Sequence, residues 1–147
     1  MNKYITPGRE ELNRFIAAQD KSYSMALEEI KSGKKISHWM WYIFPQLVDL
    51  GRSSTAKYYG IKGKEEAEEY ISNELLRKRL IEISEALYNI DDDISNILGS
   101  PDDLKLKSCM TLFKYVSPDI DIFDKVLKKF YNGNEDEITI NILEGRE

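Results

Sequence analysis

The sequence predicts an all-α protein, a single compact domain of about eight helices, several of them short. Three observations predict it. Apolar residues recur at steps of three and four through most of the chain, the spacing of helices that bury one face. Helix-opening devices, a Ser, Thr or Asn followed by acids or by proline, recur between those stripes, and glycines close them. Only Ile138-Thr139-Ile140-Asn141-Ile142-Leu143 alternates as a strand would, and it has no obvious partner strand.

Thr6-Pro7 with Glu10 and Glu11 is expected to open the first helix, with Leu12, Phe15, Ile16, Tyr23, Ala26, Leu27 and Ile30 as its stripe and Gly33 as its stop. Asp20-Lys21-Ser22 is expected to split it, with Asp20 capping the second half. Ser37 is expected to cap a short helix that carries the aromatic cluster and ends near Pro45. Ser53 to Tyr59 reads as another short helix, closed by Gly60. Lys64 to Ile71 reads as a charged surface helix, and Asn73 caps the stripe Leu76, Leu80, Ile83, Leu87 and Ile90. Asp91-Asp92-Asp93 offers a cap to a turn ending at Gly99. Ser100-Pro101-Asp102 and Ser117-Pro118-Asp119 read as one device used twice, opening helices that bury Leu106, Cys109, Met110 and Phe113, then Phe123, Val126, Leu127 and Phe130. The tail at 138–143 reads as a short helix or an extended packing segment. There is no internal repeat and no low-complexity linker, and 147 residues suit one domain, 1–147.

Composition narrows the function classes. With 41% apolar and 32% charged residues the chain is globular. A net charge of −5 argues against a long polyanion groove, so no nucleic-acid partner is expected; a small phosphorylated ligand needs only one local cationic pocket. The single Cys109 excludes an internal disulfide and a CxxC site, and one His with one Cys excludes a self-sufficient zinc site of the usual kind. No metal is expected, although counting leaves open a carboxylate site for Mg²⁺ or Ca²⁺. No signal-peptide pattern and no apolar run of spanning length is present, so the expectation is a cytoplasmic protein with no membrane partner. Nothing names a cofactor or an oligomeric state.

The residues that invite chemistry are few. His38 lies beside Trp39 and Trp41; it reads as a core-edge histidine or as an acid–base group. The run from Trp39 to Phe44 cannot all face one way on a short helix: one set fills the core, and the other meets a helix, a partner or a flat ligand. Gln46, just past Pro45, is free to present a donor and an acceptor. Gly51-Arg52-Ser53-Ser54-Thr55 reads either as helix capping or as an anion site with an arginine fork, and it lacks Walker-loop spacing. Asp102 and Asp103 are ordinary first-turn acids, but Lys105 stands where the helix dipole disfavours a cation. Lys105 and Ser108 share a face, to pair with Asp102 or to meet an anion. Gln19 interrupts an apolar stripe and needs partners, which suggests a network with Gln46 or His38.

Three segments carry a resemblance: Y-x-x-A-L-x-E-I-x-x-G-K-K-x-S-H-W-M-W-Y-I-F-P-Q-L after Ala18-Gln19, then L-G-R-S, then I-L-G-S-P-D-D-L-K-L-K-S-C-M-T-L-F. The chain resembles the bacterial proteins of the domain-of-unknown-function 1810 family, sometimes labelled calpastatin-like, from about Leu12 to Leu143. The resemblance implies a compact all-α domain with no established activity. Calpain-inhibitory segments are short motifs in disordered chains, which this chain is not. By position, the family's signature falls on Gln19, Tyr23, His38, Trp39, Trp41, Phe44, Pro45, Gln46, Gly51, Arg52, Ser53, Asp102, Asp103, Lys105 and Ser108. Cys109 and Tyr42 stand where related chains vary. A core alone has no use for His, Gln, Arg, Asp and Lys together, so the coincidence favours a polar pocket.

The expected function is therefore binding or processing of a small phosphorylated metabolite, nucleotide-like, of the ADP-ribose type. Gln19, Gln46, Arg52, Ser53, Lys105 and Ser108 would hold it, Trp39 or Trp41 would stack on a flat group, and His38 and Asp103 are the proton-transfer candidates. The rival readings are a non-catalytic protein–protein interaction module and a regulator with no ligand.

Overall fold

Leu12, Phe15, Ala26 and Ile30, one face of the first predicted stripe, are all buried along one unbroken helix, α1 (Pro7–Lys31). The computed structural model describes residues 7–145, so the expected Thr6 cap lies outside the described residues. The expected break at Asp20 does not occur. Polar residues there face a neighbour instead: Asp20 accepts from Arg79 at 2.8 Å, and the Tyr23 hydroxyl donates to the Arg79 carbonyl at 3.0 Å. Gly33 closes the helix with φ +86°, a left-handed turn that glycine adopts without strain.

Eight further helices follow among the described residues: α2 (Met40–Ile43), α3 (Ser54–Tyr58), α4 (Gly63–Ser72), α5 (Glu74–Tyr88), α6 (Ile94–Leu98), α7 (Asp102–Val116), α8 (Ile122–Tyr131) and α9 (Glu137–Leu143). A 3-10 turn spans Val48–Leu50. Nine helices and no strand make the domain all-α among the described residues, and the ambiguous tail is helical. α9 starts at Asp136, whose side chain accepts from the Thr139 amide at 3.0 Å, and it buries Thr139 against the body of the protein. None of the described helices is long and apolar enough to cross a membrane.

α7 is the hub. Leu106 and every residue from Ser108 to Phe113 are buried, because α4, α6, α8 and α9 all pack on it. α5 closes the other side against α1, α4 and α8. An aromatic chain crosses the core: Phe15 meets Tyr70 edge-on at 5.1 Å, Tyr70 meets Phe113 at 5.1 Å, and Phe113 meets Phe123 at 6.0 Å. It links α1, α4, α7 and α8 with rings that each bury a large apolar area.

Asn73 and Ser53 cap as expected, accepting from the Leu76 and Ala56 amides at 3.0 Å each. Three expected caps do something else. Ser37 spends its hydroxyl on Glu29 at 2.6 Å, and Trp39 occupies the N-cap position of α2. Ser100 is exposed, and the first turn of α7 is served by the Gly99 carbonyl, which accepts from Asp103 N at 2.9 Å, and by the Asp103 carboxylate, which accepts from Leu104 N at 2.9 Å. Ser117 closes α7, donating to the Phe113 carbonyl, and α8 begins only at Ile122.

Candidate functional site

The site is built on two short backbone contacts. Gln46 to Val48 run beside Ile61, with Val48 N donating to Ile61 O and Ile61 N donating to Gln46 O, both at 2.9 Å. Gly60 makes this possible: a Cβ there would stand 2.4 Å from Val48 Cα. Gly51 likewise turns in so tightly that a Cβ would stand 2.8 Å from the Ala56 methyl. The chain from Gln46 to Ala56 is thereby folded into a compact wall that carries Arg52 outward.

Across from that wall stand the first two turns of α7. Between them lies an open hollow of about 450 Å³. Gln46, Arg52 and Ser53 line one side, Lys105 and Ser108 the other, and Asp136 with Ile138 at the start of α9 closes the end. Leu50, Ala56, Pro101 and Leu104 supply apolar surface. Leu104 and Ile138 are each 60% exposed, unusual for large aliphatic side chains that face one concavity.

The polar groups divide into committed and free ones. Asp136 is committed: its Oδ2 accepts from Thr139 N at 3.0 Å and from Thr139 Oγ1 at 2.5 Å. Ser108 is buried and donates to the Leu104 carbonyl at 3.3 Å. Lys105 is loosely held, 3.7 Å from Asp102 Oδ1, with its ammonium 5.6 Å from the centre of the Trp41 ring. Asp102 is shared, since Lys35 reaches its Oδ2 at 2.9 Å. Arg52 is exposed, and neither its guanidinium nor the Gln46 carboxamide has a partner among the described residues. Ser53 accepts from Ala56 N through its hydroxyl oxygen, which leaves its O–H to donate.

Five of the sequence-predicted residues, Gln46, Arg52, Ser53, Lys105 and Ser108, thus meet at one hollow, with Trp41 behind Lys105. Four do not reach it. Gln19 is buried between helices, where its Nε2 donates to Tyr42 O at 2.8 Å and to Tyr70 OH at 3.0 Å; the expected cluster of Gln19, His38 and Gln46 does not form. Trp39 is fully buried, and its indole N–H donates to Glu29 at 2.9 Å, so no face is open to a ligand. His38 is exposed on the loop before α2 and does not line the hollow. Asp103 serves its own helix start, and its carbonyl accepts from the Tyr131 hydroxyl.

Two carboxylates escaped the sequence reading. Glu29 accepts from Ile36 N, Ser37 N, Ser37 Oγ and Trp39 Nε1, at 2.6 to 2.9 Å, and so fixes the loop that precedes α2. Burial pushes its carboxyl up, but these hydrogen bonds outweigh burial and hold it at about 2. Glu66 pairs with Arg14 at 2.9 Å, with side-chain exposures of 3% and 8%, and the Arg14 fork also donates to the Tyr58 and Gly60 carbonyls at 2.7 and 2.8 Å. Burial raises the Glu66 carboxyl, yet the bonds from Arg14 and Lys62 N bring it below its ordinary range. That pair holds the C-terminal end of α3. Cys109 is buried in the core as expected, and burial pushes its thiol well up. No cluster of His, Cys, Asp or Glu with metal-binding geometry occurs among the described residues.

Among the described residues, fold and hollow define a single all-helical domain with a mixed polar and apolar hollow beside its central helix. The chain belongs to the family described as "Protein of unknown function (DUF1810)", whose model matches residues 9–143. It is similar to the conserved hypothetical protein Rv1873 from Mycobacterium tuberculosis, known from a crystal structure, at 42% identity over 91% of this chain and 96% of that one, with a TM-score of 0.89. No curated protein matches the chain significantly.

Proposed function

We propose that the hollow between Gln46–Ala56 and the start of α7 binds a small phosphorylated metabolite, nucleotide-like in having a flat or apolar part beside its anion. One observation carries the reading: the Arg52 guanidinium and the Gln46 carboxamide, both without partners among the described residues, face the same hollow as the loosely held Lys105. A guanidinium fork matches two phosphate oxygens, and Lys105 adds a second positive charge. The exposed Leu104 and Ile138 offer an apolar shelf for the rest of the molecule. A volume of about 450 Å³ lies in the range of small-ligand sites.

The reading is of a binding site. His38 and Asp103, the proton-transfer candidates, stand outside the hollow. A chain of net charge −5 is poorly suited to an extended polyanion, so the partner is a small molecule and not a nucleic acid. A cytoplasmic setting, where phosphorylated metabolites are held, belongs to the same proposal.

The test is a thermal-shift screen against AMP, ADP-ribose and sugar phosphates. A ligand present at 100 times its Kd raises stability by about 2.7 kcal/mol, an easily read shift. The expected result is a rise with phosphorylated compounds that Arg52→Ala abolishes. No rise with any compound at millimolar concentration overturns the reading and leaves Leu104 and Ile138 as a patch for another protein.

A further inference from the structure

One carboxylate stands between two lysines. Asp102, the first residue of α7, has its Oδ2 2.9 Å from Lys35 Nζ and its Oδ1 3.7 Å from Lys105 Nζ. Lys105 lines the hollow; Lys35, on the loop after α1, does not. The two lysines are held very differently. Lys35 is fixed: its amide donates to the Ile97 carbonyl at 2.7 Å, its side chain is 10% exposed, and its ammonium lies 5.2 Å from the centre of the buried Trp39 ring. The amides of the next two residues are tied to Glu29, which fixes the loop. Among the described residues, the Lys105 ammonium meets only the Asp102 oxygen, beyond hydrogen-bond length, and the Trp41 ring at 5.6 Å. A carboxylate shared in this way interacts most strongly with the nearer and less solvated cation.

We infer that Lys35 is a positioning residue for the hollow: by holding Asp102 it keeps Lys105 loosely paired, with its positive charge available to an anion. The inference rests on the proposed function and places control of the site's charge on a residue outside the site. The charges carry the argument. Lys35, Asp102 and Lys105 together leave one net positive charge beside Arg52. Without Lys35, Asp102 has a single cation left to pair with. Its carboxylate closes on Lys105, that pair is neutral, and Arg52 alone faces the phosphate. A contact that merely fastens the loop to α7 would cost stability on removal and leave Lys105 as it was.

Calorimetric titration of the full chain with inorganic phosphate and AMP at fixed ionic strength tests this, with urea midpoints measured for every variant. Lys35→Met is expected to weaken both anions by about fivefold, and Lys35→Arg to keep the wild-type affinity. Asp102→Asn is expected to tighten both by about threefold, and to restore binding when added to Lys35→Met. In a Lys105→Ala background, Lys35→Met is expected to lose most of its effect, because the charge it controls is already gone. If Lys35→Met lowers the urea midpoint but leaves both affinities unchanged, Lys35 only fastens the loop. If its effect is undiminished without Lys105, it acts through the general field. Either result overturns the inference while the proposed site stands. Should Lys35→Met fail to fold, Asp102→Asn decides alone: tighter binding supports the inference, and unchanged or weaker binding overturns it. If neither anion binds the wild-type protein, the proposed site falls and the inference with it.

Discussion

Glu29 accepts the indole N–H of Trp39 at 2.9 Å, and the same carboxylate takes three more hydrogen bonds from Ile36 and Ser37. One acid on α1 thereby fixes the entry to α2, and through it the place of Trp41. Glu29→Gln keeps the shape but turns an acceptor-only group partly into a donor facing donors, with an expected cost of about 1–3 kcal/mol. The sign of the pH dependence follows from the low folded value. A carboxyl at about 2, against an ordinary 4.5, contributes stability that is fully present above 4.5 and is lost as pH falls from there towards 2. The gap between the urea midpoints of the two proteins should therefore be clear at pH 7, smaller at pH 3, and closed only towards pH 2. An equal gap at pH 7 and pH 3 contradicts this role.

Arg14 and Glu66 make a buried pair, and removing one partner strands the other charge. Arg14→Leu is expected to cost about 3–5 kcal/mol, and Arg14→Leu with Glu66→Leu less than the single change. A double-mutant cycle in urea with no coupling would show the pair to be idle.

Cap assignments are tested by three serine and asparagine changes. Asn73→Ala and Ser53→Ala each remove a side-chain cap and should cost about 0.5–2 kcal/mol. Ser100→Ala, at an exposed residue outside the cap, should fall within about 0.5 kcal/mol of the wild type. A Ser100 effect as large as that of Asn73 would restore it as a cap.

His38 and Phe44 sit six residues apart and should behave oppositely. Phe44 is 1% exposed and packs on Trp39 at 6.3 Å between centres, so Phe44→Ala is expected to cost about 3–5 kcal/mol. His38 is exposed, and His38→Ala should leave the unfolding midpoint nearly unchanged. Comparable losses for both would mean that His38 holds the loop.

Much of this was legible in sequence, for physical reasons that vary by residue. The stripes of α5 and α8 declare themselves by period, and Gly33 and Gly60 mark stops that the backbone needs. Arg52, Lys105 and Gln46 stood out because each is polar where packing or the helix dipole gives no reason for it, and the fold gathers them. Gln19 stood out too, but its partners are the Tyr42 carbonyl, the core Tyr70 hydroxyl and the Arg79 guanidinium, all distant in sequence, which leave no local mark beside it. Glu29 was passed over because an acid on a helix looks solvated until the loop seven to ten residues on folds back to it. Asp136 and Ile138 were hidden by the ambiguous tail: only once α9 is a helix do they close the hollow. The repeated Ser-Pro-Asp suggested one device, yet in the first copy the Pro101 carbonyl, not Ser100, takes the opening amides of α7, and in the second Ser117 ends the helix before.

The most direct measurement of the central claim is amide shift mapping by NMR, titrating AMP into the ¹⁵N-labelled protein. The account predicts saturable shifts at Gln46, Gly51 to Ala56 and Leu104 to Ser108, with the α5 face at Arg77 to Glu85 unmoved. Shifts centred on that face, or none anywhere at millimolar AMP, would contradict it.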